Sequence, residues 1–146
     1  MVVAYPVIFT EVDTNILIEV PDLEILTEAN EEGKAKGTIA DAIKMARDAI
    51  GISCIDREDN GEEIVSSSRM ESIDVKNSTF RGEGKSIISM VDVDLSEYRR
   101  KIDTKVVRKN VSLPSWLNYE ADKAGINVSR VLQEALVNVL GVSRTL

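Results

Sequence analysis

The side chains in this sequence that can do chemistry are few in kind. Its 146 residues include no histidine and a single cysteine, Cys54. Ser-His-Asp, Cys-His and most catalytic zinc constellations need an imidazole, so they are excluded. What remains for catalysis is carboxylate chemistry. Cys54 cannot form an intramolecular disulfide, which fits a reducing cytosol, and it reads as a small apolar filler on a helix. A second set is suited to binding. Arg108, Asn110 and Ser112 alternate with Lys109, Val111 and Leu113, so a strand puts the three wholly polar side chains on one face. Arg, Asn and Ser read base edges in the major groove of DNA, which is wide enough to admit a two-stranded ribbon. On alternation alone, a plain solvent-facing strand fits these residues equally well.

Charge divides the chain. Residues 1–104 hold 22 acidic and 12 basic side chains, a net of −10, whereas residues 105–146 hold 3 and 6, a net of +3. An acidic domain repels nucleic acid and attracts a basic protein, while a short basic segment can lie against phosphate. The apolar opening lacks a basic n-region and a small-residue cleavage site, and Glu11 and Asp13 follow it directly, so a signal peptide is disfavoured. No apolar run approaches the roughly 18 residues of a membrane span. The expected setting is cytoplasmic, with no membrane partner.

The elements that must position these residues follow from pattern. Tyr5–Thr10 and Asn15–Val20 are apolar, β-branched runs around Glu11-Val12-Asp13-Thr14, which predicts a β-hairpin. Pro21-Asp22 ends the second strand, Leu23–Thr27 reads as a short third one, and Glu28–Lys36 as an exposed loop. Thr38-Ile39-Ala40-Asp41 resembles a capping box, and Ile39, Ala42, Ile43, Ala46, Ala49 and Ile50 keep helical spacing. That helix is expected to run past Gly51 until Asp59-Asn60-Gly61 stops it. Residues 62–84 read mainly as loop, with a short strand near Ile73–Val75; Ser86–Asp94 reads as a strand inside a sheet, and Leu95–Ile102 as a helix.

Beyond the linker Asp103-Thr104-Lys105, residues 106–141 read as strand, helix, helix: Val106–Leu113 alternates, Pro114 opens a helix that Gly125 stops, and Asn127 caps a second that Gly141 ends. Chains below about 40 residues rarely hold a stable core. This segment is therefore expected to dimerise, with Trp116, Leu117, Tyr119, Ala121 and Ala124 turned mostly toward the dimer core.

The order strand-Pro-helix-Gly-Asn-helix resembles the ribbon-helix-helix family, which implies that the amides of Val128 and Ser129, capped by Asn127, hold a DNA phosphate. The resemblance widens to HicB-type antitoxins. Val107–Asn118 and Ala124–Leu136 look like the HicB C-terminal tail. Tyr5–Phe9, Pro21-Asp22-Leu23, a helix built on Ala42 and Ala46, and Val91–Lys101 are similar to the HicB N-terminal domain. One departure stands out, since that family usually follows Pro-Asp-Leu with Pro-Gly, where this chain has Glu24 and Ile25.

The resemblance implies an α+β protein with a small α/β sheet domain at residues 1–103, similar to a reduced ribonuclease H fold, and a ribbon-helix-helix segment at 106–146. It implies an antitoxin without catalysis or cofactor that inhibits a small basic mRNA-cleaving toxin like HicA and represses its own operon at operator DNA. The homodimer is the basic unit, with higher even-numbered assemblies open. Asp22, Glu24 and Glu28, with Leu23 and Ile25 as apolar anchors, are the expected toxin-facing residues. The rival reading takes Asp13, Asp41 and Asp48 as a carboxylate set of a metal-dependent nuclease. A third takes the acidic domain as the sensor of a small ligand in a DNA-binding regulator.

Overall fold

The computed structural model describes residues 1–30 and 37–142. Most of the predicted exposed loop, residues 31–36, lies outside them. The chain divides into two compact units, Met1–Arg99 and Arg100–Leu146. The division falls slightly before the expected linker, inside a helix.

The first unit is built on one long strand. β1 (Val2–Glu11) pairs antiparallel with β4 (Lys85–Asp94) over ten positions, from Val2 opposite Asp94 to Glu11 opposite Lys85. Its second half, Ile8–Glu11, also pairs with β2 (Ile16–Val20), which carries the short β3 (Ile25–Glu28) on its far side. The sheet order is β3-β2-β1-β4. Pro6 sits in the half of β1 that has a neighbour on one side only, where a strand tolerates a residue without an N–H.

Alternation decides which residues meet the helix. Val3, Tyr5, Val7 and Phe9 of β1, Ile16, Ile18 and Val20 of β2, and Val91 and Val93 of β4 join one core with Ala42, Ala46, Ile50 and Cys54 of α1 (Ile39–Asp59). The expected capping box is present. The Asp41 amide donates to Thr38 Oγ1 at 3.2 Å, and the Thr38 amide donates to Asp41 Oδ2 at 3.0 Å. Cys54 is buried, its thiol 3.9 Å from the Tyr5 hydroxyl, as an apolar filler would be.

From Pro6 to Thr10 the opposite face of β1 is buried too, which the sequence did not lead one to expect. Ile8 and Thr10 are buried there, Thr10 and Ser86 sharing a hydroxyl hydrogen bond of 2.8 Å. The segment after α1 wraps the sheet and is pinned at three points. Val65 O accepts the Tyr5 hydroxyl at 2.6 Å, Ser68 donates to Asp22, and Thr79 donates to Glu19 from its amide at 3.0 Å and its hydroxyl at 2.8 Å. The short strand expected near Ile73–Val75 does not form. Two 3-10 turns, Met70–Ser72 and Val75–Asn77, flank that site, because the Asp74 carboxylate accepts the Lys76 amide at 2.9 Å and bends the chain locally. The third strand likewise starts later than expected, at Ile25, since Pro21–Leu23 is a 3-10 turn.

α2 (Leu95–Ile102) follows β4 without a linker, Asp94 Oδ1 accepting the amides of Ser96 and Glu97. Its Tyr98 packs on α1 at Gly51, where an added Cβ would stand 2.8 Å from the ring, and its hydroxyl donates to Asp48 at 2.5 Å. A mid-helix Gly→Ala change ordinarily gains about 1 kcal/mol. Here Gly51→Ala should instead lose about 1 to 3 kcal/mol through overpacking, read as a lower urea midpoint. A midpoint that rises would mean that Tyr98 does not hold this position.

The phenol of Tyr5 has its pKa pushed by burial, and by the neighbouring Cys54, from 10.0 up to about 12. The unfolded chain therefore releases this proton first. Stability is full below pH 10 and should fall as pH rises from 10 toward 12, a loss that Tyr5→Phe should reduce in alkaline melts.

Candidate functional site

The five residues expected to face a partner separate into different environments. β3 is an edge strand, so the expectation of a sheet edge after the second strand holds. Glu24 and Glu28 are exposed there, and Asn15 Nδ2 donates to Glu28 Oε2 at 3.0 Å. Ile25 is half-buried against the core. Leu23 lies in the core at 8% exposure, so it closes the fold rather than offering a free surface. The Asp22 carboxylate is occupied as well, accepting the Ser68 amide at 2.7 Å and the Ser68 hydroxyl at 2.6 Å.

Glu24 adopts the left-handed conformation, with φ 53° and ψ 38°, and its amide donates to Pro21 O. A side chain pays roughly 1 to 2 kcal/mol for that conformation. The position thus takes a tight turn without glycine, at the point where the chain departs from Pro-Gly. The residue that sequence reasoning missed is Leu26, 53% exposed on β3. The register opposes Leu26 to Glu19 and Ile25 to Val20, so Leu26 points away from the core face and Ile25 toward it. The signal was the two-residue period itself, read from Val20 through a turn whose length the sequence did not reveal.

The three candidate nuclease carboxylates are not brought together. Asp13 lies in the β1–β2 turn, Asp41 is in the helix cap, and Asp48 accepts Tyr98. The Thr38 amide and hydroxyl hold the Asp41 carboxyl below its usual range. Among the described residues no group of three or more His, Cys, Asp or Glu is placed to hold a metal ion.

In the second unit, α3 (Ser115–Lys123) and α4 (Val128–Leu140) are joined by a turn at Gly125, φ 66°. Asn127 Oδ1 accepts the Arg130 amide at 3.1 Å, so Val128 and Ser129 open α4 as expected. Gly141 closes it in the left-handed conformation. Arg108, Asn110 and Ser112 are exposed in a segment that forms no ladder within the single chain, whereas the expected strand pairs with a second copy. No described residue of this unit is buried: Trp116 is 68% exposed and Val139 82%.

This is an α+β protein with a closed acidic unit and a helical unit that leaves its apolar stripe open. The model of the HicB-like antitoxins of bacterial toxin-antitoxin systems matches residues 5–134, and the chain belongs to that family. Among solved structures, the chain is similar to one in a toxin-antitoxin complex from Streptococcus pneumoniae, with 24% identity and a TM-score of 0.57, covering 94% of this chain and 99% of that one. It is also similar to the antitoxin HicB of Burkholderia pseudomallei, with 24% identity and a TM-score of 0.49 over 94% and 98% of the two chains. A search of curated proteins gave no match. Among the described residues no helix is long and apolar enough to cross a membrane.

The Asp22 contacts carry a test. Hydrogen bonds to a charged group contribute about 1.5 to 3 kcal/mol each way of counting, so Asp22→Ala should destabilise the first unit by roughly that amount and open residues 66–69 to proteolysis. Unchanged melting and unchanged digestion would show that this carboxylate is free for a partner.

Proposed function

We propose that this chain is an antitoxin that neutralises a small, basic, HicA-like mRNA-cleaving toxin with its first unit and represses its own operon through a dimeric ribbon-helix-helix in its second. The observation that carries the reading is the contrast between the units. The first has its own core and lies within a stretch of net charge −10, whereas the second is basic and leaves Trp116, Leu136 and Val139 uncovered. An apolar stripe of that size on so short a segment is stabilised by a second copy. Pairing Val106–Leu113 of two copies as an antiparallel ribbon sets Arg108, Asn110 and Ser112, doubled by the two-fold axis, on one polar face toward the major groove. The amides of Val128 and Ser129 then flank the ribbon as phosphate anchors. The protein acts in the cytoplasm, where the mRNA and the operator are.

The first unit, a reduced ribonuclease H-like sheet in this reading, meets the toxin along β3. Glu24 and Glu28 supply the charge and Leu26, with the half-buried Ile25, the apolar contact, while Asp22 and Leu23 hold the turn behind them. A ribonuclease carries positive charge to hold RNA, and an acidic edge shields it. Among the described residues, the alternative of a carboxylate-dependent nuclease has no assembled carboxylate set to rest on.

Three measurements test the division of labour. Arg108→Ala should cost about 1 to 3 kcal/mol on a pseudo-palindromic operator and relax specificity at one position per half-site; an equal loss on random DNA would reduce Arg108 to a phosphate contact. A folded fragment of residues 1–103 should inhibit the toxin from the adjacent reading frame in a purified RNA-cleavage assay, with association slowing steeply as salt rises. Leu26→Asp should speed release of the toxin without lowering the fragment's melting temperature. A folded fragment that leaves cleavage unchanged would refute the assignment of the first unit.

A further inference from the structure

The segment between α1 and β4 is tied to the sheet by two matching grips. Ser68 donates its amide to Asp22 at 2.7 Å and its hydroxyl at 2.6 Å; Thr79 donates its amide to Glu19 at 3.0 Å and its hydroxyl at 2.8 Å. Between the grips little else holds the chain down. The amides of Ser72, Ile73, Asn77 and Ser78 bond to the carbonyls of Arg69, Met70, Asp74 and Val75, each only three residues back, and this stretch contributes no strand to the sheet. From Arg69 to Asn77 no side chain is buried, and only Ile73 and Val75 are half-buried. A stretch with few buried apolar contacts and purely local backbone bonds opens at a lower free energy than the sheet beneath it. With nothing between them to anchor it, the two grips are gained and lost together.

Both grips land beside β3. Glu19 of β2 opposes Leu26 of β3, and Asp22 lies in the turn that leads to Glu24. That edge is weakly held by its own backbone, since β3 pairs with β2 over four positions and Glu24 stands at φ 53°. Glu19 and Asp22 are therefore positioning residues, fixing from behind the strand and turn that carry Glu24, Leu26 and Glu28. We propose that Ser68–Thr79 is a strap that opens and closes on the sheet as one unit and that, on the reading of β3 as the toxin-facing edge, the closed strap is the form that binds the toxin. With the strap open, the toxin has to order the turn and β3 as it binds, which weakens the complex. By linkage, bound toxin disfavours opening of the strap by the same factor.

Hydrogen exchange on the full chain, alone and with the toxin of the adjacent reading frame, tests both halves. Ser68→Ala and Thr79→Val each remove one hydroxyl and leave the charge of the edge unchanged. In the free chain Thr79→Val should speed exchange at the Ser68 amide, and Ser68→Ala at the Thr79 amide, by about tenfold. Circular dichroism and exchange along β1 should stay as they were, and Thr79→Ser, which keeps the hydroxyl, should restore the slow exchange. Toxin should slow exchange at both amides by about fivefold or more, and the double variant should bind toxin more weakly by a similar factor. Leu26→Asp should weaken toxin binding while leaving strap exchange in the free chain unchanged. A distant amide that ignores the substitution at the other grip overturns the single unit. A double variant that binds toxin as tightly as the unaltered chain overturns the coupling and leaves the toxin-facing edge standing. A full chain that does not bind the toxin overturns that edge and the coupling with it, and the cross-effect between the two grips still decides the strap.

Discussion

The first unit depends on the pairing and burial of β1. It pairs with β4 along its whole length and with β2 over Ile8–Glu11, and from Tyr5 to Thr10 its side chains are buried on both faces. Buried backbone that lacks partners costs as much as a lost hydrogen bond, so a strand closed in this way fixes everything around it. α1 can lie on one face because Ala42 and Ala46 keep that side of the helix small. The wrapping segment closes the other because Glu19 and Asp22 supply acceptors for its amides and hydroxyls.

Closing the centre pushes exposure to the two edges, and the edges differ. β3 is short, acidic and set beside a strained turn at Glu24; β4 is long and free of charge over its middle. Gly84 shows how tightly the β1–β4 start is built, since a Cβ there would run into the Glu11 carbonyl. An acidic edge with one exposed leucine fits the basic partner proposed for it.

What the sequence revealed was whatever local pattern carries. The hairpin, the Thr38–Asp41 cap, the Ser86–Asp94 strand and the Asn127 cap each rest on residues a few positions apart, and each is present, although the Ser86–Asp94 strand lies at the sheet edge and not inside it as its apolar run suggested. The wrapping segment was illegible because its anchors are remote: Ser68 reaches back 46 residues to Asp22, and Thr79 reaches 60 to Glu19. Without those contacts its serines read only as a polar loop. The edge residues failed for a smaller reason. One 3-10 turn at Pro21–Leu23 shifts the strand start, and a shift of one residue exchanges the inner and outer faces. Leu23 therefore went inside and Leu26 outside.

The second unit obeys the opposite rule from the first. α4 is capped by Asn127 and Gly141, whereas α3 has no side-chain N-cap, and capping contributes only about 0.5 to 2 kcal/mol per site, too little to order two short helices whose apolar residues stay in water. In the proposed dimer their stability comes from packing against the second copy. The ladderless segment 103–114 has the same incompleteness in its backbone. In the proposed ribbon-helix-helix dimer that segment and the helical stripe are satisfied together by one two-fold operation, because that operation applies the same surface to itself. On that proposal association and folding of this unit are one event, and the concentration of the chain sets how much of the unit is formed.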